Sequence, residues 1–143
     1  MDDPRAAVVA EARRWVGTPY RHQASVRGAG ADCLGLVRGV WRALRGAEPV
    51  AVPPYGPDWA EAGRDEALWR ALAGVMAPSG PALVPGQVLL FRMRAGSVAK
   101  HLGILAEASP APRFVHAYSG HGVVESPLSP PWARRIVARF DLI

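Results

Sequence analysis

The sequence predicts an α+β fold, because helical patterns fill its first half and strand patterns its second. Apolar residues first recur three and four positions apart, and after Pro85-Gly86 they alternate with the period of a strand. Glycines and prolines separate the short runs of the second half, as in antiparallel sheets joined by tight turns. The chain has 143 residues, half of them hydrophobic, so we expect a single domain over residues 1–143.

Two amphipathic helices are predicted in the first 45 residues. Asp3 and Pro4 are typical of an N-cap and a first-turn proline, and the apolar pattern that follows ends at Gly17. The second helix is predicted from Cys33 to about Arg45, with Asp32 as its N-cap. Its apolar stripe contains Leu36, Val37, Val40, Trp41 and Leu44, with Cys33 at the N-terminal end.

The remaining elements follow from turn residues and periodicity. Residues 46–58, rich in proline and glycine, predict a long ordered loop, and a third helix is expected from about Trp59 to Met76. The strands are expected at Gln87 to Met93, Lys100 to Ala106, Arg113 to Tyr118, Gly122 to Glu125 and Arg135 to Leu142.

Composition narrows the function classes. The formal charge is +5, but the arginines are scattered and no basic stripe with interleaved aromatics occurs, so we expect no nucleic-acid partner. An anionic wall polymer or an acidic protein fits the charge better. The sequence has no apolar run near the roughly 20 residues that span a bilayer, and Met1–Arg5 does not lead into a signal peptide. We therefore expect synthesis in the cytoplasm and no membrane insertion.

Cys33 is the candidate nucleophile, and it is the single cysteine of the chain. It follows Gly28-Ala29-Gly30-Ala31-Asp32 and opens a predicted helix, where the helix dipole favours a thiolate. His101 and His116 are candidate partners, since the midpoint between them falls inside the predicted turn at Glu107 to Pro112. The two histidines are then cross-strand neighbours within one pair of register. If the apolar stripe that ends in Cys33 packs on this sheet, the thiol and an imidazole come into contact.

Structural interpretations of the same residues remain open. A lone cysteine is usually a small buried hydrophobe, and a strand histidine is usually a satisfied core residue. Asp32 caps the helix whether or not it has a further role. Two more histidines, His22 and His121, lie in glycine-rich loops and are expected to be solvated. Trp132 is flanked by prolines and is a candidate for a partner surface.

Five ordered motifs resemble the NlpC-type cell-wall cysteine peptidases. The motifs are Gly17–Tyr20, Asp32–Val37, Pro85–Phe91, His101–Leu105 and Phe114–Ala117. The resemblance covers about residues 7 to 126. It implies a compact papain-like α+β domain, with the cysteine helix packed on a C-terminal antiparallel sheet.

The resemblance also implies a role for each site residue. Cys33 is the nucleophile, His101 the general base and then acid, and His116 the residue that orients His101. Tyr20 helps to hold the oxyanion, and Asp32 contacts a substrate amine. The chemistry needs no metal and no other cofactor. Leu34 departs from the family pattern, which usually has serine after the cysteine.

The implied activity is hydrolysis of the peptide stem of peptidoglycan, commonly between γ-D-glutamate and diaminopimelate. The missing export signal and wall-binding module resemble the branch carried on tailed phages and gene transfer agents. That branch implies tail-tip or hub proteins as partners, and action in the periplasm of the target cell. Two alternatives stay open: a catalytically silent connector of a tail tip, and a thiol acyltransferase or amidase with another substrate.

Overall fold

A computed structural model describes residues 3–49 and 66–143 of the chain. The helices within these ranges are α1 (Pro4–Arg14), α2 (Cys33–Arg45), α3 (Ala67–Val75) and α4 (Pro130–Ala133). The strands are β1 (Ser25–Val26), β2 (Gly30–Ala31), β3 (Ala77–Pro78), β4 (Gln87–Phe91), β5 (His101–Glu107), β6 (Arg113–Tyr118), β7 (Gly122–Pro127) and β8 (Ile136–Asp141). Helices precede the main strands, which confirms the predicted α+β class.

The two N-terminal helices begin at the caps that the sequence predicts. The Asp3 side chain accepts a hydrogen bond from the backbone N–H of Arg5, and Pro4 occupies the first turn. The helices approach each other closely at Gly39, where a Cβ atom would overlap the indole ring of Trp15. Only a residue without a side chain lets the end of α1 pack this near to α2.

The central sheet has six strands in the order β3-β8-β4-β5-β6-β7, and every neighbouring pair is antiparallel. Helices α1 and α2 cover one side of it. The larger core lies there and includes Val40, Leu90, Leu102 and Ile104. A second, smaller cluster of buried residues lies on the other side: Leu89, Phe91, Leu105, Phe114 and Leu128. Side chains alternate along a strand, so His101 and His116 project to the side of the smaller cluster, away from α2.

The β5–β6 hairpin has a different register from the one that the turn midpoint predicts. Ile104 pairs with Val115 and Leu105 with Phe114, and a bulge shifts the pairing before Glu107. His116 is therefore level with Gly103, two residues along β5 from His101. The reason is that β5 continues to Glu107, which moves the turn along the chain. The shift exceeds the single pair of slip that was expected, but the alternation of side chains still places both histidines on the same side of the sheet.

Four elements were not predicted: the small β1–β2 hairpin, β3 and the short helix α4. Each spans two to four residues, too few for periodicity to show. The predicted loop from position 50 onward and the predicted start of the third helix lie outside the described residues. Among the helices in the described ranges, none has the length and apolarity needed to cross a membrane.

Candidate active site

The segment before α2 is clamped onto the first turn of that helix. One carboxylate oxygen of Asp32 accepts a hydrogen bond from the N–H of Gly35, and the other accepts from the N–H of Gln23, each at 2.7 Å. Ser25 donates its hydroxyl to the carbonyl oxygen of Gly35 at 2.6 Å. A Cβ atom at Gly35 would overlap the carbonyl oxygen of Ala24, so this close approach requires glycine. These contacts hold the backbone on both sides of Cys33.

The thiol of Cys33 lies at the start of β5. Cys33 as a whole residue is partly exposed, and its thiol donates a hydrogen bond to the carbonyl oxygen of Lys100 at 3.5 Å. Burial, and after it the Asp32 carboxylate, raises the pKa of Cys33 to about 12, although nearby backbone N–H groups, the first of them from Leu102, oppose the rise. The free thiol is therefore protonated near neutral pH. The helix dipole stabilises the thiolate, but burial and the neighbouring carboxylate destabilise it more.

The two candidate histidines form a hydrogen-bonded pair. The Nε2 atom of His101 lies 2.8 Å from the Nδ1 atom of His116, and the Nε2 atom of His116 lies 3.0 Å from the hydroxyl oxygen of Ser126. Burial, and after it the charge of His116, lowers the pKa of His101 to about 3. Burial, and after it His121, lowers the pKa of His116 to about 4. Both imidazoles are neutral at physiological pH, so either can accept a proton.

An aromatic shell surrounds this pair. The indole ring of Trp132 lies 5.6 Å from the ring of His101 and 5.1 Å from that of His116, measured between centroids. Phe114 packs on His116 at 4.1 Å, and Phe91 lies 5.6 Å from His101. This shell shields the imidazoles from much of the surrounding water, and burial is the largest cause of the lowered pKa values of both histidines. Trp132 is thus half-buried against the histidines, a contact that its proline-flanked sequence did not indicate.

Tyr20 shares the surroundings of the thiol. Its backbone bridges to Ala31, one residue before Asp32, in a parallel β-bridge. Burial raises the pKa of the Tyr20 hydroxyl, and the charges of Cys33 and Asp32 raise it further. A protonated phenol near the thiol can donate a hydrogen bond. Its predicted part in holding the oxyanion stays a prediction, as does the contact of Asp32 with a substrate amine.

The structure brings the predicted residues together in two groups. Tyr20, Asp32 and Cys33 form one group at the start of α2, and His101 and His116 form the other. The groups meet at the first residues of β5, where the sulfur contacts the backbone just before His101. The thiol reaches this point from the end of the helix, because the apolar stripe of α2 packs on the opposite side of the sheet. The pairing of thiol with imidazole remains a prediction.

Sequence reasoning missed Ser126 and the packing of Trp132. The available signal was the alternation in β7, where Ser126 pairs with Phe114 on the strand that carries His116. The expected strand ended one residue earlier, at Glu125. His121, expected to be solvated, is exposed but stacks on the ring of Tyr118 at 5.2 Å. Across residues 3–49 and 66–143, no cluster of three histidine, cysteine or acidic side chains is arranged to hold a metal ion.

Comparison with solved structures places this geometry in a known fold. The chain superposes on a protein described as similar to a lipoprotein of the NLP/P60 family, from Staphylococcus aureus, with a TM-score of 0.60 and 21% sequence identity. The chain has the NLP/P60 fold. The match covers all of this chain and 43% of the other, so the chain spans less than half the length of that protein. No family model and no curated protein matches the sequence.

Proposed function

We propose that the protein is a cysteine peptidase that hydrolyses amide bonds in the peptide stem of peptidoglycan. One observation carries the proposal: a thiol at a helix N-terminus lies against the start of a strand whose first residue is one of two hydrogen-bonded, neutral histidines. The NLP/P60 fold and the motifs around Cys33 and His101 support the same conclusion.

The protonation states define how the reaction begins. Because the pKa of Cys33 is raised to about 12 and that of His101 is lowered to about 3, both groups are neutral before substrate binds. The Nε2 atom of His101 is bonded to His116, which leaves Nδ1 as the ring nitrogen available to the thiol. Proton transfer from Cys33 to this nitrogen accompanies attack of the sulfur on the carbonyl carbon.

The later steps use the same groups. The tetrahedral oxyanion is held by the backbone N–H of Cys33 and by the hydroxyl of Tyr20, and each donor contributes on the order of 3 kcal/mol. The imidazolium of His101 gives its proton to the leaving amine as the C–N bond breaks, which leaves a thioester. Water, deprotonated by the same imidazole, adds to the thioester and releases the carboxylic acid, and the proton returns to the sulfur.

The proposal extends to substrate and setting. The bond to be cut is the one between γ-D-glutamate and diaminopimelate, and the setting is a phage-like tail that opens the wall in the periplasm of a target cell. The motif resemblance supports both points. The net charge of +5 fits an anionic wall polymer as the surface on which the protein works.

The test is digestion of purified peptidoglycan followed by mass analysis of the released fragments. We expect stem-peptide fragments from the native protein and none from Cys33→Ala, whose circular dichroism should stay native. Ser119→Ala, at an exposed position, serves as the control and should digest normally. Equal release by Cys33→Ala and the native protein would exclude the thiol mechanism. Release of an acylated acceptor would instead identify an acyltransferase.

A further inference from the structure

We infer that Ser126 is a positioning residue that keeps the His101–His116 pair in the one tautomeric arrangement that can accept the thiol proton. The inference rests on the proposed function and deepens it. Its basis is the chain of contacts from His101 Nε2 to His116 Nδ1, 2.8 Å, and from His116 Nε2 to Ser126 Oγ, 3.0 Å. The imidazole of His116 thus has a partner at each ring nitrogen.

Two tautomeric arrangements satisfy the bond between the histidines. In the first, His101 donates from Nε2, its Nδ1 is unprotonated, and His116 carries its proton on Nε2. In the second, His116 donates from Nδ1, and His101 carries its proton on Nδ1. The first leaves His101 a base toward the thiol and the second does not. The partner of His116 Nε2 therefore determines whether His101 can act.

Burial makes that partner decisive. His116 is 1% exposed, so in the folded protein the Ser126 hydroxyl, and not bulk water, contacts Nε2. Without an acceptor there, the first arrangement leaves a buried N–H donor unsatisfied, and the second becomes the favoured one. Phe114 and Trp132 pack on the ring at 4.1 and 5.1 Å, which restricts the imidazole from turning toward another partner.

Ser126 is suited to accept rather than donate. It lies in β7 opposite Phe114 and is partly exposed, so its hydroxyl hydrogen can point to solvent while a lone pair faces His116. In this orientation the His116 proton stays on Nε2. The hydroxyl does not touch the reacting atoms, and it acts only through the two imidazoles.

The first test reads the tautomers directly by 15N NMR of histidine-labelled protein at pH 7. In the native protein we expect His101 with an unprotonated Nδ1 and His116 with a protonated Nε2. Ser126→Ala should move protons toward the second arrangement, while Ser126→Thr, which keeps the hydroxyl, and the control Ser119→Ala should retain the native pattern. An unchanged pattern in Ser126→Ala, or a native protein already in the second arrangement, would overturn the inference.

The second test is kinetic, on a purified stem-peptide substrate. We expect Ser126→Ala to lower kcat by about 10- to 100-fold, the cost of leaving one buried N–H donor unsatisfied, with KM within about twofold of the native value. Ser126→Thr should restore kcat. A rise in KM alone, or an equal loss in Ser126→Thr, would contradict a positioning role. If the native protein lacks activity, the proposed function fails, and the NMR experiment still decides the tautomer inference.

Discussion

Replacing Asp32 with asparagine should make the protein less stable and its thiol more acidic. The carboxylate has two effects in the structure: its oxygens accept hydrogen bonds from Gly35 and Gln23, and its charge raises the pKa of Cys33. An amide keeps one acceptor oxygen, and its NH₂ group faces a backbone N–H that then loses its partner. The two effects of Asp32→Asn are therefore opposite in sign and separately measurable.

The magnitudes follow from burial and from the order of the causes. Asp32 is 3% exposed, so the orphaned N–H is desolvated, and we expect a loss of about 1–3 kcal/mol in the free energy of unfolding. The pKa of Cys33 stands at about 12 against an ordinary 9.0, and burial is a larger cause of the rise than Asp32. Removal of the charge should thus lower this pKa on the order of one unit.

The assay benefits from the single cysteine, because alkylation by iodoacetamide then reports Cys33 alone. The rate measured against pH gives the thiol pKa, and urea unfolding of the same samples gives stability. Asp3→Asn, at the exposed N-cap of α1, serves as the control and should leave the alkylation profile unchanged. An Asp32→Asn protein of native stability, or one whose thiol titrates at the same or a higher pH, would refute the reasoning.

Three further predictions address the packing, the histidines and the oxyanion donor. Gly39→Ala should lower the free energy of unfolding in urea by about 1–3 kcal/mol, because the added Cβ atom overlaps Trp15. At Gly74 a Cβ atom meets open space, so Gly74→Ala should change the free energy of unfolding little. Equal losses in the two variants would contradict this packing. Since folding lowers the pKa values of His101 and His116, the free energy of unfolding should fall as the pH drops below about 6.5 toward 3–4. The fall should be at most about 1.4 kcal/mol per pH unit for each histidine, and less for the partly exposed His101. His116→Gln should flatten this slope, and an unchanged slope would contradict the prediction. Tyr20→Phe should lower kcat by roughly 10²–10³-fold with little change in KM on a stem-peptide substrate, and a native kcat would exclude the hydroxyl as an oxyanion donor.

The sequence predicts the larger elements well because their signals are local. Helix α2 begins at Cys33 and ends at Arg45 as expected, since Asp32 caps one end and Gly46 the other. The shorter pieces gave no such signal. Two-residue strands such as Ser25–Val26 have no periodicity, and the prolines at the start of α4 resemble an irregular segment.

The sequence predicts the proximity of the two histidines better than it predicts the electrostatics around the thiol. Strand alternation was enough to bring His101 and His116 onto one side of the sheet. The acidity of Cys33 was predicted in the wrong direction, because a helix N-terminus is visible in sequence while burial and the proximity of a carboxylate are not. A serine at a strand end is common in any sequence, so the alternation in β7 could place Ser126 on the side of His116 but could not single it out as a hydrogen-bond partner.

The sheet separates most of the buried apolar residues from the two histidines. Most of the buried apolar surface lies under α1 and α2, whereas the imidazoles sit with a small satellite cluster. Substitutions around Trp132 can therefore change the surroundings of His101 while the main core stays intact. In such an arrangement the residues around the histidines can vary with little effect on the stability of the fold.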